Sequence, residues 1–344
     1  MRLPRAFQFG RRTVRKAVLL NAMLLAAIAA VFFAARPAAS YLQQLQGSAT
    51  APLRWDFTAF PVQWRLNPDT SSAKISGDRD PADVITASFQ TWLNAPNLAL
   101  NVSRGPDTSL NSPNAVDGVN LICFVCTGDF SKDSQTLAVT LSFTAKNAGE
   151  DDLHGGRTKF AGQLKDADIL FNPQVSFSTT QAGPPANVSD LQTVATHEIG
   201  HFFGMDHSAV VRATMFPFAP PIERTLSYDD VAGLSQIYPK AAPDVATGVI
   251  AGTVRLTDGS AVFGAHVFAS STTNADPYGG ALRKTPIGTL TMPDGTYRIA
   301  GVPPDSYAVA AEPLDQPVTN QDINTFAPNL GQSSVQTNFT TRWH

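Results

Sequence analysis

Thr196-His197-Glu198-Ile199-Gly200-His201-Phe202-Phe203-Gly204-Met205-Asp206-His207 is the stretch that organises the chain. It spells H-E-x-x-H-x-x-G-x-x-H. His197 and His201 stand four apart, so on a helix they share one face and can each aim a ring nitrogen at a single Zn2+. Glu198 sits beside the first ligand, where its carboxylate reaches a water on the metal rather than the metal itself. Gly204 lets the helix stop and the chain reverse, because glycine tolerates the left-handed conformation such a stop often needs. The reversal returns His207 as a third ligand. Three protein ligands leave a fourth position open, which marks a catalytic rather than a structural site. A core helix with scattered histidines is the plain alternative; four demanding residues and a glycine at fixed offsets argue against it.

Working outward, Ser189-Asp190-Leu191-Gln192 has a capping-box pattern with Ser189 as cap, and it opens the helix that carries the motif. Downstream, Thr225 to Asp230 caps a last helix with Val231, Leu234, Ile237 and Tyr238 on its apolar face. Upstream, Val62–Leu66 is a first strand, and Asp80-Pro81 starts a helix whose apolar face is Val84, Ile85, Phe89, Trp92 and Leu93. Further strands are expected at Leu98–Val102, Val119–Val125, Thr136–Phe143 and Ala167–Asn172, with a long loop over 145–165. Residues 52–240 thus read as one catalytic domain. Residues 241–247 read as a linker. From Gly248 to about Glu312, short β-prone runs alternate with Asp258-Gly259, Pro293-Asp294-Gly295 and Pro303-Pro304-Asp305 turns, as in a small all-β sandwich over 248–318. Residues 319–344 are a polar tail or edge strands.

Residues 1–40 carry seven basic residues and no acid, with an apolar run from Ala17 to Ala35 and small residues before Tyr41. This is a signal peptide by pattern, with an uncleaved anchor as the alternative, followed by a spacer over 41–51. The protein is therefore expected to be secreted and extracellular, or membrane-anchored if the leader stays. Without the leader, 18 basic and 28 acidic residues remain, a net charge of −10 that argues against nucleic acid as a partner. The two cysteines, Cys123 and Cys126, exclude a four-cysteine zinc site. A short disulfide, a redox pair and half of a zinc knuckle stay open, and export favours the disulfide.

The zinc motif resembles that of the metzincin metalloproteases. Ser208 after the third histidine, Thr214-Met215-Phe216-Pro217, and Leu226-Ser227-Tyr228-Asp229-Asp230-Val231-Ala232-Gly233 resemble their matrixin branch, in a bacterial-type form. The resemblance covers about residues 52–240 and is loose upstream of the motif. It implies an α+β fold, with a mixed five-stranded sheet over the active-site helix and a methionine turn below the metal. His197, His201 and His207 would bind zinc, Glu198 would be general base and then proton donor, and Met215 would be a structural apolar floor. The strand near Leu137, Ala138 and Val139 resembles the edge along which an extended substrate is laid. Pro217-Phe218-Ala219 resembles a substrate-pocket wall. Phe216 and Ala219 stand where the family often has tyrosine, so pocket shape does not carry over. The second, structural zinc of some relatives needs three more loop histidines; only His154 is there, so one zinc is expected. Glu150, Asp151, Asp152, Asp166 and Asp168 are candidates for calcium, with solvated surface acids as the plain alternative. Gly252-Thr253-Val254, Asp294-Gly295-Thr296-Tyr297 and Gly301-Val302-Pro303-Pro304 resemble carboxypeptidase-regulatory-like β-sandwich modules, and His266 reads as a strand residue there.

Together these readings point to a monomeric zinc-dependent metalloendopeptidase that hydrolyses polypeptides with a Glu-activated, zinc-bound water. The alternative is a surface binding or adhesion protein whose β-sandwich does the work while the protease domain is latent or self-processing.

Overall fold

The computed structural model describes residues 43–45, 51–58, 61–114, 117–126, 130, 136–323 and 326–344. The leader and most of the 41–51 spacer lie outside these residues. No helix among the described residues is long and apolar enough to cross a membrane. From Ala39 to His344 the chain forms one compact unit.

The first half is built on a five-stranded sheet of β1 (Val62–Asn67), β3 (Val102–Arg104), β4 (Asn120–Cys123), β5 (Ala138–Thr144) and β6 (Leu164–Phe171). The order is β3-β1-β4-β6-β5. All neighbours run parallel except β5, which pairs antiparallel with β6 from Ala138↔Phe171 to Thr144↔Leu164 and forms one edge. Near-continuous burial along β6 fits a strand covered on both faces. The mixed five-stranded sheet is the one the sequence led us to expect. Strand β3 was expected a few residues too early, at Leu98–Val102, because apolarity alone set that boundary.

Three short strands carried no usable pattern in the sequence. β2 (Lys74–Ser76), β7 (Ser176–Ser178) and β8 (Ser189–Asp190) form a small parallel sheet. This corrects the helix cap. Ser189 and Asp190 are paired in β8, so the helix starts one residue later. Asp190 is the cap, and its carboxylate accepts from Thr193 N at 2.9 Å.

Helix α1 (Pro81–Leu93) begins as expected, with Asp80 as cap and Pro81 in the first turn. It packs against α2 (Leu191–Phe202), which carries the motif. The contact is aromatic: Trp64 of β1 stacks on Phe89 at 4.6 Å, and Phe89 meets Phe202 edge-on at 5.5 Å. Indole and phenol groups also satisfy carbonyls along and just past α2. Trp92 Nε1 donates to Thr196 O at 2.8 Å, Trp55 Nε1 to Phe202 O at 2.8 Å, and Tyr238 Oη to Phe203 O at 3.0 Å. Phe202 O and Phe203 O are groups a helix end would otherwise leave unpaired in a dry core.

The chain continues through α3 (Tyr228–Ile237) into two further sheets. One contains β10 (His266–Ser271), β11 (Ile287–Leu290), β13 (Tyr307–Glu312) and the edge strand β14 (Arg342–Trp343); the other pairs β9 (Gly248–Thr253) with β12 (Thr296–Val302). A short helix, α4 (Phe326–Asn329), precedes β14. Residues 241–247 have linker composition, yet they are tied down. Asn97 donates to Asp244 Oδ2 and Val245 O and accepts from Val245 N, at 2.8–2.9 Å. Val231, Ala232 and Leu234 of α3 share one apolar cluster with Ile287, Ile299 and Val302. Gly301, at φ +72°, lies so close to Ala232 that a Cβ would meet its backbone. Cys123 and Cys126 form a disulfide.

The end of α2 has the chemistry its glycine foretold. Gly204 has φ +91°; its N–H bonds His201 O at 2.9 Å, and Met205 N bonds Gly200 O at 3.1 Å, the paired bonds of a Schellman stop. A Cβ at Gly204 would run into the Leu53 carbonyl. Gly204→Ala should therefore lower stability by at least about 2 kcal/mol, through left-handed strain and that clash. Urea unfolding of the full chain checks this.

Candidate metal centre

His197 and His201 project from α2, and the Gly204 turn brings His207 back to them. Ring centroids are 4.8, 5.3 and 4.9 Å apart, and one nitrogen from each ring lies within 4.8 Å of the others. It is the one group of three or more potential metal ligands among the described residues. The second nitrogen of each ring decides what the first can do. His197 Nδ1 faces Thr214 O at 2.7 Å, His201 Nδ1 faces Met205 O at 2.8 Å, and His207 Nδ1 faces Asp322 O at 2.7 Å. A carbonyl only accepts, so each Nδ1 carries the proton and each Nε2 offers its lone pair. Burial, then the neighbouring imidazoles, hold His197 well below the usual histidine range and His201 at about 3. Both are neutral at any ordinary pH, as ligands must be. Three imidazoles, each with its Nδ1 committed to a carbonyl, fit a zinc ion with an open fourth position.

Glu198 is 6% exposed. Burial pushes its carboxyl up to about 7, against the pull of a hydrogen bond from Thr140 Oγ1 to Oε2 at 2.7 Å. Thr140 lies on edge strand β5, so the strand expected to hold substrate also orients this carboxylate. Sequence reasoning missed Thr140 because it belongs to no motif.

The floor of the site is braced by two adjacent acids of α3. Asp230 accepts from Thr214 N at 2.9 Å, Met215 N at 3.1 Å and Ser227 N at 2.7 Å. Thr214 in turn holds His197. Asp229 accepts from Ser208 Oγ at 2.6 Å, next to His207, and from Gly288 N at 2.8 Å. Burial and the charge of Asp230 push Asp229 up to about 8. Met215 is fully buried under the helix. A Cβ on Gly200 would strike Met215 Sδ and crowd Trp92. Gly200 is therefore the residue that lets the methionine approach, a requirement invisible without the fold.

Ala138 and Val139 lie on β5, and Leu137 directly precedes it, with its carbonyl accepting from Asn172 N at 2.9 Å. Pro217 and Phe218 follow the methionine. Phe218 is half exposed, with its ring 5.7 Å from Phe216. The five acids singled out for calcium do not come together as one set. Asp151 and Asp152 bond their own loop, at Leu153 N, His154 N and Gly156 N. Asp166 and Asp168 are buried on one face of β6, where burial and neighbouring carboxylates, Asp117 among them, raise Asp166 to about 8. His266 lies in β10, its Nδ1 2.9 Å from Glu312.

Asp230→Ala would strand three main-chain N–H groups, two of them in the methionine turn, and should cost about 3 kcal/mol. Thermal or urea unfolding of the metal-free chain reads this directly.

A profile of the matrixin family matches residues 128–239. Metalloendoproteinase 1 of Glycine max is 33% identical over 112 residues, 30% of this chain and 37% of that protein. Karilysin of Tannerella forsythia is 47% identical over 49 residues (14% of this chain, 10% of its own), and stromelysin-1 of Mus musculus 43% over 63 residues (17% and 13%). The chain thus spans little more than a third of the soybean relative and far less of the others. The matched segment contains the three histidines, Glu198, Met215 and both acids of α3, so residues 128–239 resemble a matrixin-type metalloprotease domain.

Proposed function

We propose that the chain is an exported, zinc-dependent endopeptidase acting on polypeptides as a monomer. One observation carries the reading: three imidazoles, each locked by a carbonyl at Nδ1, turn their free nitrogens to one point beside Glu198. Zinc bound there would polarise the scissile carbonyl and bring the pKa of its water towards about 7. Glu198, held by Thr140, takes the attacking water's proton and hands it to the leaving amine. The outer edge of β5, at Ala138, offers main-chain groups to an extended substrate, with Leu137 and Val139 on either side holding the strand to β6. Such pairing is tolerant of sequence. Pro217 and Phe218 would form the wall beside the side chain after the cut bond. Export rests on the basic and apolar runs of residues 1–40.

The reading in which a carboxypeptidase-regulatory-like β-sandwich works alone, as a binding module, fares less well. The C-terminal sheets share a core with α3 and reach the metal centre through Gly288 and Asp322. They are built into the site rather than appended to it.

Calcium is proposed at a different place from zinc. Asp166 is fully buried, its Oδ1 has no partner, and Asp168 and Asp117 add negative charge beside it. A divalent cation would relieve that cost. Millimolar calcium should raise the thermal midpoint of the native chain by several degrees and leave Asp166→Asn unmoved. An equal shift in both would place calcium elsewhere.

Casein cleavage by the full chain is the central test. A zinc chelator should abolish it, and Glu198→Ala should lower kcat at least about a hundredfold while the protein keeps its zinc. Thr140→Val should cost about tenfold in kcat with little change in KM. Undiminished cleavage by Glu198→Ala would remove it from the role of base.

A further inference from the structure

We infer that the turn Thr319–Asp322, beyond β13 and outside the family-matched segment, is a positioning element for the third metal ligand. The inference rests on the metal-centre reading above. His197 and His201 find their Nδ1 partners, Thr214 and Met205, inside residues 128–239. His207 does not. Its Nδ1 partner is the Asp322 carbonyl, 115 residues further on.

That carbonyl is held in place by its own turn. Asp322 N bonds Thr319 O at 3.1 Å, and Asp322 Oδ2 accepts from Thr319 N at 2.7 Å and Thr319 Oγ1 at 2.8 Å. The side chain thus closes the turn that presents the carbonyl. Val318 and Ile323, on either side, are buried in an apolar cluster with Phe263, Leu290 and Phe326. Ala209 and Phe216 pack against the same cluster. Ala209 lies two residues after His207, and Phe216 directly follows Met215. The turn and the ligand loop are therefore fixed to one apolar body, and the distance between carbonyl and imidazole is set by packing. Asp229 makes a second tie nearby, joining Ser208 to Gly288.

The expected consequence is specific. His207 sits on a loop, where no helix fixes its ring. Without the Asp322 carbonyl its proton could occupy either nitrogen and its ring could turn. Loss of such an outer hydrogen bond to a ligating histidine typically weakens metal binding about 10- to 100-fold.

The test measures metal release, not proteolysis. Zinc-loaded full-length chain is mixed with a chromophoric chelator, and the release rate is compared among the native protein, Asp322→Ala, Asp322→Asn and Ile323→Ser. Asp322→Ala should release zinc at least about tenfold faster. Asp322→Asn keeps an oxygen that can accept from Thr319 and should stay close to native. Ile323→Ser, which loosens the turn without touching Asp322, should resemble Asp322→Ala. The metal-free thermal midpoint of Asp322→Ala should be near native, which separates positioning from general destabilisation. Native release rates in both Asp322→Ala and Ile323→Ser would overturn the inference while leaving the metal centre standing. A native chain that takes up no zinc would overturn the metal-centre reading itself, and this inference with it.

Discussion

Three main-chain carbonyls, those of Thr214, Met205 and Asp322, decide what the metal centre can be. An imidazole with an unconstrained proton is an indifferent ligand. One whose Nδ1 proton is committed to a carbonyl presents its other nitrogen unprotonated and correctly aimed. Each carbonyl depends on a different part of the fold. Met205 O is supplied by the turn that Gly204 makes possible. Thr214 O is supplied by a loop pinned on Asp230 of α3. Asp322 O comes from the segment between β13 and β14. Helix α2, braced by Trp92, Trp55 and Tyr238, is the fixed body against which these three are placed.

The sequence made the three-histidine cluster legible because its spacing is the helix's own period plus a glycine-dependent stop. The first helix with its Asp80 cap and most strands were legible for similar reasons: each is written in local periodicity or turn chemistry. The misreadings share a cause. Ser189 resembled a cap because the two-residue strand β8 is too short to announce itself, and the cap moved to Asp190. Residues 241–247 have the composition of a linker, and what the sequence does not show is that Asn97, far upstream, bonds Asp244 and Val245 within them. Thr140, Gly200 and Asp322 act on the site through contacts between segments distant in sequence. A threonine on a strand, a glycine in a helix and an aspartate in a polar stretch carry no local mark of such work.

Glu198 and Asp229 are both buried acids, yet their surroundings divide their tasks. Glu198 has one hydroxyl partner, from Thr140, and directly follows His197 on the helix. Asp229 has both carboxylate oxygens occupied, one by Ser208 and one by Gly288. The carboxylate of Asp229 is thereby committed to holding two segments together. Exposure alone would not distinguish them, since both are almost entirely shielded from water.

The shared cluster on α3 has a consequence for how this architecture can be taken apart. The helix lies within the segment that matches the matrixin family, but Ala232 is pressed by Gly301, and the Val231–Leu234 face continues into Ile287 and Val302. The unit that evolution shares among relatives and the unit that closes a dry core are therefore different lengths of chain. A gene segment cut where the family likeness stops would leave one side of that helix bare to solvent, so the boundary of homology is not a boundary of autonomy.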